Sequence, residues 1–172
     1  MKIETHTRPA AQMLKQATIA FIQEAHRGQK YDDMPYFFHP VEVAIETEAL
    51  ARVAFGDDFE MVADAELVAL LHDVVEDTDY TEAQLRQRYS DYVVDAVMLV
   101  TLDPDLRYHE NIQRIIDSRN LLALIVKLAD NRVNRRGDKS KFTAEKAQRL
   151  NDKYDMSMAM ISKALHDMGI YV

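Results

Sequence analysis

Residues 67–77 read Leu67-Val68-Ala69-Leu70-Leu71-His72-Asp73-Val74-Val75-Glu76-Asp77. Apolar side chains occupy almost every face of a helix drawn through this run, so the helix should be largely buried. Yet four ionisable residues close it. Carboxylates at a helix C-terminus oppose the negative end of the helix dipole, and an unpaired buried carboxylate is costly. Each such acid must be paired, protonated or metal-bound. Residues 121–131 repeat the pattern, with Leu121-Leu122-Ala123-Leu124-Ile125-Val126-Lys127-Leu128-Ala129 running into Asp130-Asn131. Two buried acids brought close together repel, and a divalent cation resolves that repulsion.

The rest of the chain carries the same helical period. Leu14, Ala17, Thr18, Phe21 and Ala25 mark one face of a first helix that ends near Gly28. A loop follows from Gln29 to His39, with Asp32, Asp33 and Pro35. Pro40 is placed to open a second helix carrying Val41, Ala44, Ile45 and Val53. Gly56-Asp57-Asp58 breaks it, and a third helix is expected from about Phe59 to Val75. Thr81 with Gln84 resembles a capping box for a short fourth helix, and Ser90 is a cap for a fifth carrying Val93, Val94, Val97 and Val100. After the Asp103-Pro104-Asp105 turn come a sixth helix within about Tyr108–Ser118, a seventh over Leu121–Arg136 and a last over Thr143–Met168. The last shows an Ala147, Leu150, Tyr154, Met158, Ile161 and Leu165 stripe and a Gly169 stop.

Composition agrees with one all-α domain spanning 1–172. A chain of 172 residues suits a single core. Only four glycines and four prolines argue against a turn-rich β-sandwich or barrel. Cysteine is absent, which removes thiolate zinc sites and cysteine nucleophiles and fits a cytoplasmic protein. No apolar run approaches the ~20 residues that cross a bilayer, and the first ten residues lack a signal-peptide core. The net charge of −8 disfavours a sequence-independent nucleic-acid binder. The charge is unevenly spread. From Val53 to Leu85 there are ten acids and no Lys or Arg, and from Lys127 to Lys153 nine bases against four acids. That asymmetry reads either as solvated helix surface or as an acidic cation site beside a basic, phosphate-binding wall.

His72 and Asp73 are about 100° apart around a helix axis and can converge on one ion if the helix end meets it obliquely. Glu76 and Asp77 lie one turn further on, suited to handling a water on that ion. His39, just before Pro40, can be aimed inward by its loop. Imidazole and carboxylate together suit a catalytic divalent transition metal with open positions. Singly, each residue has an ordinary explanation: a buried His–Asp hydrogen bond, a pairing of Asp130 with Lys127 or Arg132, a helix-entry histidine. Jointly, on apolar helices, they are hard to explain as packing.

The strings AHRGQ (25–29), PYFFHPVEVA (35–44), ALLHDVVEDT (69–78) and KLADNRVN (127–134) resemble the HD-domain phosphohydrolases, and among them the hydrolase domain of RelA/SpoT homologues. The similarity runs from about Ala17 to Arg136. It implies an HD-domain bundle of about eight or more helices and a Mn²⁺ ion held by His39, His72, Asp73 and Asp130. It implies that Glu76 and Asp77 position or activate the attacking water. The reaction implied is release of the 3′-diphosphate of ppGpp or pppGpp as pyrophosphate, by a stand-alone cytoplasmic enzyme whose partner is a small nucleotide rather than nucleic acid or membrane. Two alternatives are another nucleotide phosphohydrolase with the same centre and a catalytically silent nucleotide-binding module.

The nucleotide contacts implied are Lys30 and Tyr31 beside the base and Asn134 towards the ribose. The long homologues have Arg-Lys where this chain has Lys30-Tyr31. A Lys lacks the stacking plane of Arg, while Tyr31 can stack on any purine, so a looser base preference that admits adenosine alarmones is expected. His26 is expected to order its loop, and Arg27 to pair or face solvent. Arg132, Arg135, Arg136, Lys139 and Lys141 are candidates for the 5′-phosphates, most of them expected in solvent. His6, His109 and His166 are expected at the surface.

Overall fold

The computed structural model describes residues 7–31 and 33–172, which leaves His6 and Asp32 outside the described residues. Among the described residues there are nine helices and one two-stranded hairpin: α1 (Arg8–Ala25), β1 (Lys30–Tyr31), β2 (Met34–Pro35), α2 (Phe38–Phe55), α3 (Phe59–Leu71), α4 (Val74–Asp77), α5 (Glu82–Arg86), α6 (Asp91–Val100), α7 (Tyr108–Ser118), α8 (Leu121–Arg136) and α9 (Ala144–Asp167). The all-α expectation holds. No helix is long and apolar enough to cross a membrane among the described residues.

Local chemistry explains most boundaries. Thr7, Asp58, Ser90, Asn120 and Thr143 each accept a backbone N–H of the first turn of α1, α3, α6, α8 and α9, satisfying donors that have no helical partner. Thr81 and Gln84 form the capping box of α5. Lys139 closes the far end of α8, its Nζ donating to the carbonyls of Asn134, Arg135 and Gly137 at 2.8–3.0 Å.

The core is built on α3 and α8. Leu67 to Leu71 and Leu122 to Val126 are at most 2% exposed, the all-round burial their composition demands. The helices α2 and α8 pack on α3, and α9 packs on α8. His39 on α2, His72 and Asp73 at the end of α3, and Asp130 on α8 are thus carried by three mutually packed elements.

Three expectations need correction. The loop before α2 contains the hairpin, in which Lys30 faces Pro35 and Tyr31 faces Met34. The second helix begins at Phe38, so His39 lies in its first turn and Pro40 is not its first residue. The His39 N–H donates to the Tyr36 carbonyl at 2.9 Å, which starts the winding early. Along α2 the buried face is His39, Pro40, Val43, Ala44, Thr47, Leu50 and Ala51, while Ile45 and Val53 are exposed. The third helix stops at Leu71, and a new turn starts at Val74. Asp73 therefore precedes α4 and Glu76 and Asp77 sit in its first turn, so these acids no longer oppose the end of a helix continuing through them. His109 and His166 are exposed as expected.

Candidate metal centre and nucleotide cavity

His39, on α2, and His72, at the break after α3, are both buried. The His72 Nδ1–H donates to the Ala69 carbonyl at 2.7 Å. That leaves Nε2 facing the centre, where it can offer a lone pair once its proton is displaced. Asp73 Oδ2 lies 3.0 Å from it and 3.7 Å from His39 Nε2. Asp130 Oδ1, on α8, lies 3.5 Å from His39 Nε2 and 3.7 Å from His72 Nε2. One atom each of His39, His72 and Asp73 falls within a 4.8 Å sphere of mutual distances, and Asp130 closes the group against both imidazoles. Among the described residues the buried Nε2 of His72 makes no well-directed hydrogen bond. An orphaned imidazole nitrogen aimed at two carboxylates fits a divalent cation, since the ion would satisfy the lone pair and relieve the repulsion between the acids.

The second oxygen of Asp130 is bound by Lys127 Nζ at 2.9 Å, inside the protein. Asn134 Nδ2 donates to Oδ1. Burial pushes the Asp130 carboxyl up, but Lys127 and the two imidazoles outweigh it and hold the group ionised far below the usual carboxylate range. His72 shows the mirror image: burial lowers its pKa, while Asp73 and Asp130 raise it to about 9. The pairing of Asp130 with Lys127 proposed as an ordinary explanation is therefore real, and it coexists with the cluster because each carboxylate oxygen faces a different partner.

Tyr36 carries a role that sequence reasoning missed. Its hydroxyl lies 2.7 Å from Asp73 Oδ2 and 2.9 Å from Asp77 Oδ2, so its single proton is shared between two acids. Burial and both carboxylates drive its pKa well above that of free tyrosine. His26 fulfils its expected part: its Nδ1 lies 2.8 Å from Gln29 Oε1, and Gln29 Nε2 donates to the Asp77 carbonyl at 2.7 Å. Arg27 pairs with Glu24. Glu76 reaches the other wall, where Oε2 accepts the Leu102 N–H at 3.0 Å. Desolvation raises its carboxyl above the ordinary glutamate value, with that N–H opposing.

One cavity is lined by His39, Asp73, Glu76, Asp77, Asp130 and Asn134, together with Tyr31, Tyr36, Lys127 and Lys153. Tyr31 enters it differently from expectation, since its ring stacks on His39. Its hydroxyl lies 3.4 Å from Asn134 Oδ1 and presses on Gly137, where a Cβ would come within 3.1 Å. Lys30 is exposed on β1 and does not line the cavity. The five basic candidates point elsewhere. Arg132 and Arg136 pair with Glu46, Arg135 with Asp155 and Lys141 with Asp33, while Lys139 caps α8. The cations in the cavity are instead Lys127 and Lys153. The first had been read only as a partner for Asp130, and the second had no signal beyond its place in the basic segment.

A helical bundle that gathers two histidines and two aspartates from an H…HD…D sequence is that of an HD-domain protein. No protein-family model matches the chain. A Danio rerio protein named guanosine-3′,5′-bis(diphosphate) 3′-pyrophosphohydrolase MESH1 is 32% identical over 84% of this chain and 80% of its own length. A Haemophilus influenzae guanosine-3′,5′-bis(diphosphate) 3′-pyrophosphohydrolase is 35% identical over 66% of this chain, which spans only 17% of that protein. The fold is shared with the solved structure of a metazoan ortholog of SpoT described as hydrolysing ppGpp, with a TM-score of 0.65 and 22% identity over 91% of this chain and 96% of that one. The chain belongs to the guanosine-3′,5′-bis(diphosphate) 3′-pyrophosphohydrolase family.

Proposed function

We propose that this protein is a cytoplasmic, Mn²⁺-dependent hydrolase of (p)ppGpp-type alarmones, its residues 1–172 forming one domain that releases the 3′-diphosphate as pyrophosphate and leaves GDP or GTP. The observation that carries the reading is the convergence of His39, His72, Asp73 and Asp130 at a cavity that Glu76 and Asp77 also line, in a chain that matches a relative of that name over most of both lengths.

His39, His72, Asp73 and Asp130 would hold the ion. When bound, it would lower the pKa of a water and polarise the phosphoryl group. Glu76, raised above the ordinary glutamate value, is suited to taking a proton from that water. Asp77 is oriented from two sides, by Tyr36 on its carboxylate and Gln29 on its carbonyl, and would position the water. Asn134, bound to the metal-side oxygen of Asp130 and near Tyr31, stands where a ribose would meet the ion site. Tyr31 is a weaker candidate for stacking on the base, because one of its faces lies on His39. Lys30, on the exposed hairpin, could reach a base only from the rim.

The test is to incubate Mn²⁺-loaded protein with ppGpp, pppGpp and ppApp and identify the products. Pyrophosphate with the matching 5′-diphosphate or 5′-triphosphate is expected. Orthophosphate as the first product would replace this reading with that of another nucleotide phosphohydrolase.

A further inference from the structure

Lys153 is the one cavity residue whose charge the proposed chemistry leaves without a task. It lies in α9, lines the cavity and is only partly exposed. Its Nζ sits 4.4 Å from the Tyr108 ring centre and 4.6 Å from that of Tyr154. The two rings hold the ammonium by cation–π attraction. Tyr108 is fixed from behind: its hydroxyl donates to Asn131 Oδ1 at 2.7 Å, and Asn131 Nδ2 donates to Ser157 Oγ at 2.7 Å. The cradle thus ties α7, α8 and α9 together.

Among the described residues no carboxylate comes within ion-pair distance of Lys153. Asp130 and Glu76 are near enough for their charge to act on it, and Lys127 repels it. A partly desolvated ammonium facing the ion-binding end of a cavity, held by rings and without a counter-ion, is a site for an anion. Lys127 differs, because Asp130 already neutralises it.

We propose that Lys153 binds the phosphate oxygens of the substrate's 3′-diphosphate, the group being transferred to water. This rests on the functional reading above. The placement supports the 3′-diphosphate over the 5′-diphosphate, because Lys153 lines the same cavity as His39, Asp73, Glu76 and Asp130, the residues proposed to hold the ion and the water. A Lys is a flexible point charge, able to follow the diphosphate as it leaves.

The test uses the Mn²⁺-loaded protein and a ppGpp analogue in which methylene replaces the ribose 3′ ester oxygen, so that the bond to be broken is uncleavable, with binding measured by calorimetry. Lys153→Met keeps the stem against the tyrosines and removes the charge. It should weaken the analogue about 10- to 100-fold, the scale of a hydrogen bond to a charged group, while GDP, which lacks the 3′-diphosphate, binds as before. Lys153→Arg should recover most of the affinity. Equal weakening of GDP and the analogue would move Lys153 to the 5′ side and overturn the assignment, as would an unchanged analogue affinity in a folded Lys153→Met protein. If unmodified protein fails to bind the analogue at all, the alarmone reading falls, and the assignment with it.

Discussion

The ring of Tyr31 lies against that of His39, with centroids 4.7 Å apart and planes 22° apart. The contact joins the hairpin to the first turn of α2 and braces an imidazole whose Nδ1 finds no hydrogen-bond partner in the protein. Tyr31 therefore orients a residue proposed to hold the metal.

Tyr31→Ala should lower Mn²⁺ affinity about 10- to 100-fold, the usual cost of removing a group that orients a ligand. Tyr31→Phe keeps the ring and should stay near the unmodified protein. Metal titration by calorimetry checks both. A base preference that changes while metal affinity does not would return Tyr31 to the nucleotide.

Glu76→Gln preserves shape and removes charge. It should retain metal and nucleotide yet turn over about 10²–10⁴-fold more slowly, the range of general acid–base help. Single-turnover rates at saturating Mn²⁺ measure this, and an undiminished rate would end the assignment.

Lys127→Met leaves Asp130 as a buried charge without its partner. Without metal the loss should be about 3–5 kcal/mol. Mn²⁺ binding to the folded state should restore part of it. Thermal melts with and without Mn²⁺ give the comparison, and an equal loss in both would mean that the ion does not reach Asp130.

The metal-free protein should show a defined pH dependence. His72 has its folded pKa raised from 6.5 to about 9 by Asp73 and Asp130 acting against burial. Its contribution to stability is thus full below pH 6.5 and is lost as pH rises through 9. An ion must displace that proton, so apparent Mn²⁺ affinity should climb by up to about tenfold per pH unit over the same interval. A flat affinity between pH 6.5 and 9 would remove His72 from the ligand set.

Much of this architecture was legible in the sequence because composition settled it. The two apolar runs that end in acids could only be core helices, and α7 and α8 fall where their periodicity puts them. The two-residue strands of the hairpin carry too little pattern to register, and nothing in Leu71-His72-Asp73-Val74 announces that the helix restarts. Ile45 and Val53 are apolar yet exposed, which hydrophobicity alone cannot reveal. Asp73 and Asp130 stood out because buried acids demand partners. Tyr36 and Lys153 did not, since their roles depend on which neighbours the fold supplies across distant segments, as with Tyr36 and Asp77.

The ion-binding group also has a timetable. His39, His72 and Asp73 leave the ribosome well before Asp130, which follows His39 by 91 residues. At about 5–20 residues per second that interval is about 5–18 s. Through it the nascent chain holds a half-built centre, two imidazoles and one carboxylate, without the lysine-backed aspartate that completes it. A truncation upstream of α8 would leave that set of residues permanently incomplete. Such a fragment should scavenge metal loosely and hydrolyse nothing, so translation must run past Asp130 before the chain can act.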